Sequence, residues 1–173
     1  MEYALSLYFD EVSEQRLQAL NETAARATDN DYMVNIPPHI TIAMFTTDNI
    51  QPIAAMMNKS LGGFNSGRVL FSSVGAFPPH TLFLAPAANP YLQSMCRMAS
   101  TLLARKVSLH HLYLPNFWVP HMTSAMKLTG AELIRGFAAL SDAFAQFEAN
   151  VTRIAVSACE PYEDLIVLDL PAA

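Results

Sequence analysis

The sequence predicts a chain of mixed helix and strand, built from two copies of one strand-helix-strand-helix-strand unit. Three observations carry that prediction. Pro38-His39-Ile40-Thr41 returns as Pro120-His121-Met122-Thr123, close to half a chain later. Period-two and period-3.6 apolar patterns alternate in the same order around both tetrapeptides. Finally, 52% of the 173 residues are hydrophobic and only 14% charged, enough apolar surface for one domain or two small lobes on a shared core.

The elements follow in order. Tyr3 to Phe9 alternates as a strand, with Leu5, Leu7 and Phe9 on one face and Ala4, Ser6 and Tyr8 on the other. Glu11 to about Thr28 has no Gly or Pro and repeats Val12, Leu17, Leu20 and Ala24 at helical spacing, with Asp10 as N-cap. Asp29-Asn30-Asp31 is a loop, and Ile36-Pro37-Pro38 leads stiffly into the first motif strand, His39 to Phe45. Asp48 or Asn49 caps a helix with Pro52 in its first turn and Ile53, Met56, Met57 and Leu61 on its buried stripe, ended by Gly62-Gly63. Arg68 to Val74 is the last strand of the first unit.

The second unit repeats that order. Thr81 to Ala85 is a strand, and Asn89-Pro90 opens a helix to about Lys106 whose basic end suits its dipole. A loop through His110-His111 and Pro115-Asn116 leads to the second motif strand, Trp118 to Leu128. Thr129-Gly130-Ala131-Glu132 is a capping box for a helix bearing Leu133, Ile134, Phe137 and Leu140. Val151 to Ala158 and Asp164 to Leu170 close the chain as strands. The repeats are expected at about 1–78 and 79–160 of a single bilobal domain, with the closing strand at about 164–170.

Charge limits what the molecule serves. The net charge is −5 and the Lys and Arg are scattered, whereas a long nucleic acid needs a basic track. A small anion needs only one or two local cations. Cys96 and Cys159 fit no metal-binding spacing and read as reduced, buried thiols. The N-terminus lacks the features of a signal peptide and no apolar run is long enough to span a membrane, so a cytoplasmic location is expected; the acidic composition and the lack of a low-complexity tail point to a monomer.

Within a strand His39 and Thr41 share a face, as do His121 and Thr123. Two such strands side by side gather two imidazoles and two hydroxyls in one cleft. One imidazole can take a proton from water or a hydroxyl while the other gives one to a leaving oxygen, and the threonines can hydrogen-bond the phosphoryl oxygens. Phosphodiester cleavage asks for this set, with no metal or cofactor.

The paired Pro-His-Ile-Thr and Pro-His-Met-Thr in a duplicated chain of this length resemble the 2H phosphoesterase superfamily, which takes in 2'-5' RNA ligase-like proteins and RNA 2',3'-cyclic phosphodiesterases. The resemblance implies a bilobal α+β fold with antiparallel-dominated sheets around a central cleft, and His39, Thr41, His121 and Thr123 as the catalytic set. It implies a hydrolase acting on a small nucleotide or RNA-end phosphodiester, such as a 2',3'-cyclic phosphate. A 2'-5' ligase, a 2'-5' oligonucleotide phosphodiesterase and a non-catalytic nucleotide-binding module are the alternatives. Many relatives carry an arginine about five residues after the histidine, where this chain has Met44 and Met126.

Two further residues are candidates for substrate binding. Strand alternation puts Lys127 on the face of His121 and Thr123, as a positive charge for a phosphate or a solvated strand-end lysine. Tyr8 is a candidate for stacking on a base, against the commoner role of core tyrosine. Trp118 alternates away from His121 and reads as packing. His80 breaks the His-x-Thr spacing and reads as a turn residue. His110-His111 lacks a third ligand at metal spacing.

Overall fold

A computed structural model describes residues 1–59 and 63–172. The first half holds β1 (Glu2–Phe9), α1 (Glu11–Thr28), β2 (His39–Thr46), α2 (Gln51–Lys59) and β3 (Gly67–Phe77). Then follow β4 (Thr81–Pro86), α3 (Pro90–Leu103), β5 (Ser108–Leu109), β6 (Met122–Ala125), α4 (Gly130–Ala143), β7 (Phe147–Ala158) and β8 (Glu163–Asp169). The fold is α+β. Among the described residues all strand pairs are antiparallel, and they join one open sheet in the order β5-β2-β1-β7-β3-β4-β6, with β8 added on β7.

Exchanging β1 with β4, β2 with β6 and β3 with β7 turns the central order β2-β1-β7-β3-β4-β6 into its own reverse. Among the described residues β5 and β8 have no counterpart in that exchange. One edge of β7 pairs with β3 at Phe147 to Val151 and then with β8 from Arg153 onward, so β8 takes the edge that β3 leaves on its way to β4.

β1 lies between β2 and β7, and apart from Glu2 it is buried throughout. Leu5, Leu7 and Phe9 belong to the main core with Leu17, Leu20 and Ala24 of α1. Each fully enclosed leucine contributes about 1.5–3 kcal/mol relative to exposure. α1 starts where the Asp10 carboxylate accepts from the Ser13 N–H at 2.9 Å, and α4 starts on the Thr129–Glu132 capping box.

Several expectations change in the folded chain. Val12 and Ile134 are 77% and 70% exposed, because they stand outside the buried stripes, Leu17, Leu20 and Ala24 of α1 and Gly136 and Leu140 of α4. α3 stops at Leu103, three residues early; Lys106 still serves its end, donating from Nζ to Leu102 O at 2.8 Å. For α2, Asn49 accepts from the Gln51 N–H, whereas Leu61 and Gly62 lie outside the described residues. Cys96 is buried, but Cys159 is only partly so. The second motif strand is short: Pro120 has no N–H to give a ladder, and β6 runs only from Met122 to Ala125. The motif strands β2 and β6 are not hydrogen-bonded neighbours; they approach each other from the two ends of the open sheet.

Candidate active site

The two histidines are set up alike by their own sequence. The Nδ1–H of His39 donates to Pro37 O and that of His121 to Val119 O, each at 2.7 Å. In both cases the intervening residue is a proline. A carbonyl only accepts, so the hydrogen is on Nδ1, and Nε2 is left to give or take a proton. Burial lowers the pKa of both rings; at each the backbone carbonyl opposes this, and at His39 the Asp164 charge does too. The charge of His39 in turn disfavours a proton on His121.

The lobes are tied together at the motifs. The indole N–H of Trp118, a residue 6% exposed, donates to Thr41 O at 2.9 Å, linking the approach to β6 with β2. Asn30 Nδ2 donates to Met126 O at 3.1 Å just past β6.

Their surroundings differ. β1 puts Tyr8 opposite His39 and Ser6 opposite Thr41 in the β1–β2 register. Thr41 Oγ1 and Ser6 Oγ share a hydrogen bond of 3.2 Å. Tyr162 stacks on the His39 ring with centroids 6.0 Å apart, and its hydroxyl is bonded to that of Tyr8. Asp164 Oδ1 accepts from Tyr8 (2.6 Å), Ser157 (2.6 Å) and Tyr162 (3.1 Å). Burial raises the pKa of both tyrosines, that of Tyr162 to about 12, so they stay neutral donors.

Around His121 the wall is apolar. Phe77 meets its ring edge-on at 4.9 Å and Phe83 lies at 5.4 Å. A cavity of about 420 Å³ opens here, lined by Phe77, Trp118, His121, Thr123 and Met126 among others. A larger groove of about 700 Å³ beside α1 is lined by Glu11, Glu14 and Arg153 among others; the smaller cavity holds the second motif pair, His121 and Thr123, and His39 and Thr41 line neither.

Two substrate-binding expectations need correction. Tyr8 is 2% exposed, behind His39, so its ring offers no face to a base. Lys127 is not on a strand; β6 has ended, its φ is 62°, and its Nζ pairs with Glu160 at 2.7 Å over the Tyr32 ring. His80 is at the β3–β4 turn, where its Nδ1 is 2.8 Å from Leu128 O. His110 and His111 stack on each other at 5.0 Å in a 3-10 turn, and His110 Nδ1 accepts from the Leu112 N–H. Sequence reasoning missed Ser6, Tyr162, Asp164, Phe77 and Phe83. Only Ser6 had a local signal, since it shares a strand face with Tyr8.

The chain is similar in sequence pattern and in fold to known proteins. The family model of the 2'-5' RNA ligase superfamily matches residues 9–159. TT0787 of Thermus thermophilus superposes with a TM-score of 0.62 at 16% identity, covering 99% of each chain. E. coli LigT complexed with 3'-AMP gives 0.59 at 13% identity over 98% of each chain. Usb1 of Kluyveromyces marxianus gives 0.51 at 10% identity, over 98% of this chain and 97% of that one. At these identities the likeness is one of fold. No curated protein matches the sequence significantly.

Proposed function

We propose, for a chain that belongs to the 2'-5' RNA ligase superfamily of 2H phosphoesterases, that it is a metal-independent phosphodiesterase opening 2',3'-cyclic phosphates or related small nucleotide phosphodiesters. The observation that carries this reading is the matched pair of histidines, each with Nδ1 occupied by the carbonyl two residues back and Nε2 free. One Nε2 takes a proton from water as its oxygen bonds to phosphorus. The other gives a proton to the ribose oxygen as the P–O bond breaks. Thr41 and Thr123 hydrogen-bond the non-bridging oxygens as their charge grows. The acidic protein and the short supply of cations at the cavity favour a small substrate over a long RNA, in keeping with the 3'-AMP held by E. coli LigT.

The test is hydrolysis of the four nucleoside 2',3'-cyclic monophosphates with EDTA present, for wild type, His39→Ala and His121→Ala, resolving 2'- from 3'-phosphate products. A positioned acid or base contributes about 10²–10⁴-fold, and each substitution is expected to remove at least that. Absence of turnover on all four substrates would overturn the cyclic phosphodiesterase reading and move the assay to 2'-5' dinucleotides.

A further inference from the structure

We infer that Asp164, carried by the closing strand β8, is a positioning residue for His39 with no counterpart at His121, and that it makes His39 the proton donor and His121 the acceptor. The inference deepens the phosphodiesterase reading and rests on it for the reaction, though not for the charge difference between the two rings. It starts from topology. Among the described residues the exchange that maps β2 onto β6 maps no strand onto β8, so the first motif has a neighbouring strand that the second lacks.

What it brings is a carboxylate and a clamp. Asp164 Oδ1 gathers the hydroxyls of Tyr8, Ser157 and Tyr162, from β1, β7 and the turn before β8. The His39 ring has Tyr8 and Tyr162 as neighbours, each at 6.0 Å between centroids, so a single oxygen sets the positions of both. With Nδ1 on Pro37 O and two ring neighbours held, the direction of Nε2 is defined.

The other titratable and charged groups near His39 do not cancel this carboxylate. Arg153 of β7 lies 5.7 Å from the Tyr8 ring centre, but it is paired with Glu14 at 2.7 Å. Beyond the turn, Lys127 and Glu160 neutralise each other. His121 is a further titratable neighbour, whose proton a charge on His39 disfavours. Burial, deeper at His39, opposes a proton on either ring; the Asp164 charge works against it at His39, while His121 faces Phe77 and Phe83.

In the reaction, a water proton passes to His121 Nε2 as the water oxygen bonds to phosphorus. The electrons of the breaking P–O bond go to the ribose oxygen, which takes the proton of His39 Nε2. The product has gained one water, and proton exchange with solvent restores both rings.

The test is an NMR pH titration of ¹⁵N-histidine-labelled full-length protein without substrate, for wild type, Asp164→Asn, Asp164→Glu and Tyr162→Phe. Asp164 is solvent-accessible, so these variants are expected to fold, and the spectra report it directly. His39 is expected to titrate above His121 in wild type. Asp164→Asn should lower the His39 midpoint while leaving His121 little changed, and Asp164→Glu should restore part of the difference. Tyr162→Phe should broaden the His39 resonances alone. In kinetics, Asp164→Asn should move the alkaline limb of kcat/KM to lower pH. A His121 midpoint above that of His39, or an Asp164→Asn midpoint equal to wild type, would overturn the inference. The titration needs no turnover, so its failure is distinguishable from failure of the phosphodiesterase reading.

Discussion

Gly75 offers a way to push on one histidine and leave the other alone. It stands opposite Phe83 in the β3–β4 ladder, and a Cβ there would be 2.3 Å from Phe83 Cε2 and 2.5 Å from Cζ. Ordinary contact begins at 3.4 Å, so in Gly75→Ala the ring edge must retreat by about 1 Å. The phenyl is 6% exposed and has Phe77 at 4.4 Å and His121 at 5.4 Å between ring centres. The displacement therefore passes into the wall of His121. Overpacking of this kind costs about 1–3 kcal/mol. A misplacement of about 1 Å at a reacting group costs on the order of 10²-fold in rate. Urea denaturation measures the first quantity and kcat/KM on a cyclic nucleotide the second. Gly67→Ala serves as the control, because its Cβ would press on the Tyr91 ring at 2.6 Å, at the other end of β3, and should cost stability with kcat/KM kept. A folded Gly75→Ala protein with wild-type kcat/KM would refute the argument that Phe83 sets the place of His121.

Two more predictions concern stability. Burial holds His39 and His121 below the ordinary histidine pKa of about 6.5, so between the folded and unfolded values the unfolded chain binds more protons. Stability present above about pH 6.5 should be lost as the pH falls below that unfolded value and through the lower folded values. Urea midpoints against pH should show a slope that the His39→Gln, His121→Gln double variant flattens; an equal slope in both proteins would contradict this. Trp118→Phe keeps the packing but leaves Thr41 O without its indole donor. The expected loss is about 1–3 kcal/mol, read by urea denaturation, and an unchanged midpoint would show that this link between the lobes contributes nothing.

The order of helices and strands was legible because each element carries its own periodicity and its own end signals, such as Asp10 before α1 and the Thr129–Glu132 box before α4. The matched setting of the two histidines is local too: each ring and the carbonyl that holds its Nδ1 lie within three consecutive residues. The surroundings of His39 are not. Tyr8, Ser157, Tyr162 and Asp164 meet only through the registers of β1 with β2 and of β7 with β1 and β8, which no local pattern encodes. Lys127 shows the opposite failure. A local rule, strand alternation, was applied two residues beyond the end of β6, where the chain turns left-handed and the side chain goes to Glu160. Val12 and Ile134 likewise stand outside the stripes that their helices bury.

The short bond from each imidazole to the carbonyl two residues behind it makes Xaa-Pro-His a self-contained cassette. Many catalytic histidines borrow their tautomer from a distant carboxylate, so a copy of the local segment alone arrives chemically mute. Here the proton's address travels with the peptide. A segmental copy of the chain delivers a second imidazole in the same tautomer at once, and later changes in the remainder of the fold can shift its pKa without altering that tautomer.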